Sequence, residues 1–159
     1  MSKLKIILFI FTYILGACSF ASQSVVQGPF HFNMQDHSVI EFIKKDDESI
    51  DFIVKTSSNN ELIDSYLVGD GIPKINTVFF YTIKNIKNII VLVSWDENNI
   101  SAIHYKVYLY TCNGNNKISI NNDAMSDKNL EGYDGYSNSG VTFNYKDAST
   151  IKKYLSQIK

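Results

Sequence analysis

Residues 75–95 carry the sequence INTVFFYTIKNIKNIIVLVSW, which constrains the architecture of the whole chain. Its two halves, 75–83 and 89–95, are dense in β-branched and aromatic residues, and residues 84–88 between them are largely polar. This pattern predicts a β-hairpin. In residues 89–93 both alternating faces are apolar, which is typical of a strand in the middle of a sheet covered on both sides. Another layer must therefore pack on each face of the second strand.

The N-terminal half of the chain predicts further strands. Apolar and polar residues alternate at 30–34 and at 50–54, and residues 39–43 are apolar apart from one glutamate, so 39–43 and 50–54 predict a hairpin. Residues 61–68 fit one helical face as well as a strand, and we predict a strand from their β-branched and aromatic content. Two glycines and a proline at 69–73 then interrupt the regular structure.

The C-terminal half continues the same pattern. Residues 103–112 and 117–120 predict two strands, and Asn113-Gly114 between them is a strong hairpin-turn signal. Residues 121–140 are polar and glycine-rich and predict a long loop. Residues 141–145 predict a last strand.

The end of the chain has the clearest helical pattern in the sequence. Apolar residues recur at helical spacing between 151 and 158, and Asp147 or Ser149 can serve as the N-cap. We therefore predict an α+β, mainly β fold: an antiparallel sheet of about six to eight strands with one C-terminal helix packed on it. The N-terminal hairpins are expected to curl over the other face. Residues 22–159 are enough for one globular domain.

The first 21 residues have the order of a bacterial signal sequence. Lys3 and Lys5 precede an apolar run at 6–15, and small residues follow at 16–21. The run is about half as long as the roughly 20 residues that a membrane-spanning helix needs. We therefore expect the leader to be removed and the rest of the chain to be exported.

Two cleavage sites compete at the end of the leader. Residues 15–18, LGAC, resemble the lipobox of bacterial lipoproteins, which implies cleavage before Cys18, acylation of its thiol and anchoring to the envelope, at the outer membrane rather than the inner. Residues 19–21 fit an ordinary signal peptidase site, and cleavage after Ala21 gives a periplasmic protein. The position of Cys18 directly after the apolar run favours the lipoprotein. By either route Cys112 has no second cysteine for an intrachain disulfide.

Composition and motif content exclude several classes of function. The chain has 15 lysines, no arginine and 16 acidic residues, for a net charge of -1. Without arginine, nucleic acid is a poor partner. No pair among His31, His37 and His104 has zinc-ligand spacing, and a calcium loop beginning at Asp127 fails because Asn138 stands where a glutamate is required. We expect no metal and no cofactor.

Catalytic patterns are equally scarce. There is no Gly-x-Ser-x-Gly. His104 and Cys112 share a strand face, but they lie roughly 26 Å apart along it. The paired acids Asp96 and Glu97 sit in asparagine-rich sequence, where solvated carboxylates are usual. An enzyme would need a site that the sequence does not reveal.

One face of the strand at 103–112 alternates aromatic and polar side chains, and the tryptophan lies in the preceding strand. Tyrosine and tryptophan are common interface anchors. The loop at 121–140 is rich in Tyr, Ser, Asn and Gly, as adaptable binding loops are. We single out as candidate partner-binding residues Trp95, His104, Lys106, Tyr108, Tyr110, Tyr133, Asp134 and Tyr136. The strand face is equally typical of the covered side of a central sheet.

Three functional hypotheses remain open. The first is a small, non-catalytic envelope protein that binds another protein, one version being an immunity-type protein against a periplasmic toxin. The second is a periplasmic or lipid-anchored hydrolase, which requires a concave pocket that holds His104 or Asp96 with another titratable group. The third is a structural lipoprotein tethered through Cys18.

Overall fold

A computed structural model describes residues 24–33, 38–112, 117–135 and 142–157. The strands of the first sheet are β1 (Ser24–Asn33), β2 (Ser38–Lys44), β3 (Ile50–Lys55) and β4 (Asn60–Tyr66). Those of the second sheet are β5 (Pro73–Ile83), β6 (Ile86–Glu97), β7 (Ala102–Cys112), β8 (Ile118–Ile120) and β9 (Glu131–Gly135). Helices α1 (Asn122–Met125) and α2 (Ala148–Leu155) and a 3-10 turn at Lys128–Leu130 complete the described elements.

The two sheets are antiparallel, and the predicted mainly β class with a C-terminal helix is confirmed. The first sheet has the order β1-β2-β3-β4. The second has the order β5-β6-β7, and β8 and β9 both pair with the outer edge of β7. Strand β8 takes the C-terminal end of β7, whereas β9 takes residues Ala102 to Lys106 at its start.

Strand β6 lies between two layers, as its apolar faces predict. Ile89, Val91 and Val93 belong to the core shared with the first sheet, and Ile90 and Leu92 belong to the core on the α2 side. All five side chains are fully buried. The molecule is therefore a three-layer arrangement of sheet, sheet and helix, with β6 at its centre.

Helix α2 begins where the sequence allows a cap. Asp147 Oδ1 accepts hydrogen bonds from the backbone N–H groups of Ser149 and Thr150, at 2.8 and 2.9 Å, so Asp147 is the N-cap. Ile151 and Leu155, one turn apart, are both buried against the second sheet. Helix α2 thus covers one face of the second sheet with a single apolar stripe, as the sequence pattern predicts.

Two sequence predictions differ from the structure in the C-terminal half. The predicted strand at 141–145 is wrong for its described residues, because only Thr142 forms a single bridge, with Tyr133. Phe143 is buried there, so the apolar residues of this segment anchor it to the core without forming a ladder. The predicted loop at 121–140 contains β9, which gains its hydrogen bonds from the edge of β7.

Several predictions lie outside the described residues. They are the leader at 1–21 with Cys18, the turn at Asn113-Gly114, and Tyr136. Within the described ranges, no helix has the length and apolar character needed to cross a bilayer.

Candidate functional site

A groove of about 360 Å³ lies at one end of the second sheet. Its wall is the linker between β4 and β5, and its floor comes from the end of β6 and the starts of β7 and β9. Trp95, His104, Lys106 and Tyr108, all singled out from sequence, line it. The groove is therefore where the predicted strand face becomes accessible.

Strand register brings three rings into one row, which begins on this floor and ends beside it. Trp95 of β6 pairs with His104 of β7, and His104 pairs in turn with Tyr133 of β9. The centroid of the His104 ring lies 5.3 Å from that of Trp95 and 4.7 Å from that of Tyr133, with which it stacks at 17°. We call Trp95, His104 and Tyr133 the aromatic row. It is built from antiparallel neighbours on one sheet face, as direct cross-strand pairs are.

The imidazole of His104 is held between two carboxylates. Its Nε2 donates a hydrogen bond to Oε1 of Glu131 at 2.9 Å, and its Nδ1 lies 3.4 Å from Oε1 of Glu97. The other oxygen of Glu131 accepts from Nζ of Lys106 at 2.8 Å. These four residues, His104, Glu97, Glu131 and Lys106, form a clasp that ties β9 to β6 and β7.

The clasp changes the acidity of Glu131. The hydrogen bond from His104, with a further contribution from Lys106, outweighs desolvation and lowers the pKa of Glu131 from 4.5 to about 2. The carboxylate is therefore ionised at any pH near neutrality. Because Glu131 is 44% exposed, solvent screening keeps its contribution to stability small.

Acid is expected to remove the stability that Glu131 contributes. A folded-state pKa below the unfolded value means that the contribution is complete above pH 4.5 and declines as the pH falls from there towards 2. The measurement is urea unfolding of the wild type and of Glu131→Gln at a series of pH values. We expect the wild type to be the more stable near pH 5 and the difference to shrink on acidification. An undiminished difference at about pH 2 would contradict the assignment.

The linker that walls the groove exposes apolar side chains. Leu67 is 66% exposed, and Val68 and Ile72 are also exposed. The backbone is nevertheless fixed, because Nε1 of Trp95 donates to the carbonyl oxygen of Leu67 at 2.9 Å. At the other end of the linker, Gly71 is buried against the backbone of Asp96. The apolar side chains are thus presented to solvent on an anchored segment.

Tyr110 lies towards the other end of β7 and does not line the groove. The side chain is fully buried between the sheets, where its hydroxyl donates to Oδ2 of Asp64 at 2.7 Å and lies 2.8 Å from the hydroxyl of Tyr66. Burial raises the pKa of both tyrosines well above the ordinary value, so their hydroxyls stay protonated. Tyr110 fastens the end of β4 to β7 and is out of reach of a partner.

The structure therefore brings some of the partner-binding residues predicted from sequence to the groove and places others elsewhere. Five of them meet at or beside the groove: Trp95, His104, Lys106, Tyr108 and Tyr133. Asp134 is turned to a different contact, since its Oδ2 accepts from Nζ of Lys146 at 2.6 Å. The expectation that Glu97 is a solvated acid is wrong, because its side chain is 13% exposed and faces His104. Glu131 and the exposed linker were not singled out from the sequence. The signal for Glu131 is its opposition to Lys106 across two strands, which is visible only once β9 is paired.

The hydrolase hypothesis requires a concave pocket that holds His104 with another titratable group, and the groove meets this condition, since Glu97 and Glu131 line it as well. The two ring nitrogens of His104 are, however, both engaged. Nε2 of His104 already donates to Glu131, and Nδ1 faces Glu97, so neither nitrogen faces an incoming nucleophile. Ser65 also lines the groove, but its hydroxyl donates to Oδ1 of Asp51 at 2.6 Å. No group of three or more metal-ligating side chains occurs among the described residues. What the groove offers is a shaped, charged and partly aromatic surface.

A second cavity, of about 410 Å³, lies at the opposite end of the second sheet. It brings Asp123 and Asp127 to one wall. The carboxylate of Asp127 accepts from the hydroxyl of Tyr154 at 2.5 Å and from the side chain of Asn129 at 2.9 Å. Desolvation raises the pKa of Asp127, but the hydrogen bonds from Tyr154 and Asn129 together outweigh it and lower the pKa. The same bonds hold the 3-10 turn against α2.

Comparison of the chain with protein-family models, with curated proteins and with solved structures finds no match.

Proposed function

We propose that this chain is an exported bacterial envelope protein that binds another protein through the groove and its linker. The observation that carries the proposal is the exposure of Leu67, Val68 and Ile72 on a backbone held in place by Trp95. Several exposed apolar side chains on one short, anchored segment are typical of protein interaction sites. Beside them lie the aromatic row and the charged side chains of Asp70 and Glu131. Protein interfaces commonly have aromatic residues at the centre and polar or charged residues at the rim.

Binding explains the clasp better than hydrolysis does. A catalytic histidine needs one ring nitrogen open to the reacting group, whereas both nitrogens of His104 face carboxylates. The clasp instead fixes β9 and sets the shape of the floor before any partner arrives. Preorganised surfaces lose less conformational entropy on association.

Export is supported by the leader at 1–21, with its basic start, short apolar run and small residues. Cys18 is the proposed lipid attachment site, which places the binding domain on the envelope; cleavage after Ala21 would leave it soluble in the periplasm. An immunity-type protein, which neutralises a toxin in this compartment, is the specific version that we favour. Survival of cells exposed to such a toxin would depend on the groove.

The proposal is tested by site-specific photocross-linking in intact cells. The photoreactive residue p-benzoylphenylalanine replaces Leu67 in the full-length chain, and the control chain carries it at Ile86. Ile86 is also an exposed apolar residue, but it lies at the other end of β6. We expect a discrete adduct with one envelope protein from position 67 and none from position 86.

Two outcomes would overturn the proposed function. One is the absence of any adduct from position 67 when the exported protein is present at its normal level and folded. The other is the same set of adducts from both positions, since this indicates collision rather than a site.

A further inference from the structure

We propose that the groove receives a basic side chain, lysine or arginine, from the partner protein, while a neighbouring apolar side chain of the partner packs on Leu67 and Val68. This inference rests on the proposed function and specifies the chemistry of the partner.

The formal charges around the groove favour a cation. Three carboxylates line it, those of Asp70, Glu97 and Glu131, against one lysine, Lys106, and His104. Lys106 is already paired with Glu131. Within the described ranges Asp70 has no side-chain hydrogen bond or ion pair, and it is exposed at the rim. A partner with complementary charge would satisfy Asp70 and the surplus negative charge.

The tyrosines beside the groove respond to the same negative field. The pKa of Tyr133 is raised first by desolvation and then by the charges of Glu97, Glu131 and Asp70. That of Tyr108 is raised by burial and by the charges of Asp64 and Glu131. Burial contributes most to both shifts, and the smaller contribution from the carboxylates has the sign that favours a cation at the same place.

The aromatic floor adds a second attraction for a cation. Ammonium and guanidinium groups are drawn to the faces of tryptophan and tyrosine rings. Lys106 of this chain already makes such a contact, because its Nζ lies 5.5 Å from the centroid of the Tyr108 ring while it is bonded to Glu131. Trp95 supplies a second ring in the groove, and Tyr133 lies beside the groove against His104.

The dimensions of the groove fit a side chain. A volume of about 360 Å³ accepts one or two extended side chains, not a folded element. The linker that walls it carries Asp70 two residues from Val68 and three from Leu67, so a basic and an apolar side chain of one partner segment can be bound together. Because the carboxylate of Asp70 and the apolar side chains of Leu67 and Val68 lie on one short linker, the linker favours a partner segment in which a basic residue is next to an apolar one.

The test combines the cross-linker at position 67 with charge reversal at Asp70. Asp70 lies outside the clasp and outside the core, so Asp70→Lys should leave the fold intact, which thermal unfolding will verify. The matched control is Asp123→Lys, an exposed acid of α1 beside the second cavity. We expect Asp70→Lys to lower the adduct yield on the order of tenfold and Asp123→Lys to leave it unchanged.

The outcomes separate this inference from the proposed function. If position 67 cross-links a partner and Asp70→Lys leaves the yield unchanged, the basic side chain is ruled out while protein binding stands. If position 67 gives no adduct with Asp70 intact, the proposed function falls and the inference with it. Mass spectrometry of the adduct identifies the cross-linked segment of the partner, and a basic residue in that segment supports the inference. In a second step that basic residue is changed to Glu, and we expect this change to restore the adduct yield that Asp70→Lys has lowered. A segment without Lys or Arg overturns the inference.

Discussion

Gly71→Ala is expected to destabilise the protein by about 3 kcal/mol and to displace the linker from the groove. A Cβ atom at position 71 would lie 2.8 Å from both N and C of Asp96, and closer still to its carbonyl oxygen. All three atoms belong to the backbone of Asp96, which is paired with Ile103 of β7 and follows Trp95, a residue paired on both sides, so this backbone is poorly placed to move aside. The linker must therefore give way, and the hydrogen bond from Trp95 to the carbonyl oxygen of Leu67 lies four residues from Gly71 on the same short segment. Urea unfolding followed by circular dichroism measures the stability change.

Gly69→Ala is the matched control for this substitution. The same atom added at position 69 meets nothing within 4 Å, although the two glycines are two residues apart in one linker. We expect the stability to change by no more than about 1 kcal/mol, in the stabilising direction, because alanine restricts the unfolded chain. Equal unfolding midpoints for the two variants would show that the close approach to Asp96 is unimportant. In the cross-linking assay, Gly69→Ala should retain the adduct at Leu67 and Gly71→Ala should lose it.

Leu92→Ala is expected to cost about 2–5 kcal/mol, because it opens a cavity at the centre of the molecule. Leu92 is fully buried and belongs to the cluster that joins β6 and β7 to α2 through Ile151 and Leu155. Neighbours fixed in two ladders and a helix cannot collapse onto the space that is left. The measurement is the free energy of unfolding in urea.

Leu62→Ala provides the control with the same chemistry. Leu62 is 58% exposed on β4, so its truncation should change the free energy of unfolding by no more than about 0.5 kcal/mol. If the two leucine variants unfold at the same urea concentration, the position of β6 between two layers cannot be the main source of stability.

The sequence predicted the layers of this fold because its strongest signals coincide with its most buried elements. The two apolar faces of residues 89–93 required a cover on each side, and the first sheet and α2 provide them. The helical pattern and the cap at Asp147 were equally local signals. Such predictions succeed because periodicity reports burial directly.

Strand β9 was not predicted because its stability comes from a distant neighbour. Its sequence, Glu131–Gly135, has two glycines and an aspartate, all poor strand formers, and nothing in that segment identifies the edge of β7 as its partner. Without β9, Glu131 could not be placed next to His104 and Lys106. The clasp was therefore invisible, although the histidine and lysine themselves were chosen from the alternation in β7.

The face of β7 illustrates why a stripe alone does not identify a surface. An exposed face and a covered face were both consistent with its alternation, and each description holds for one end of the strand. Tyr110 is buried under the first sheet, whereas His104 and Lys106 lie where that sheet gives way to the linker. The exposure of Leu67 was also beyond the sequence, because residues 61–68 fit a helix and a strand alike.

The indole of Trp95 gives the molecule an intrinsic optical reporter. It is the only tryptophan in the chain, it is 8% exposed, and its N–H is bonded to the linker carbonyl of Leu67. Movement of the linker would expose this ring to water and shift its fluorescence emission to longer wavelength. A cation bound against the ring would instead change the fluorescence intensity. Occupancy of the groove can thus be followed in unlabelled protein by fluorescence.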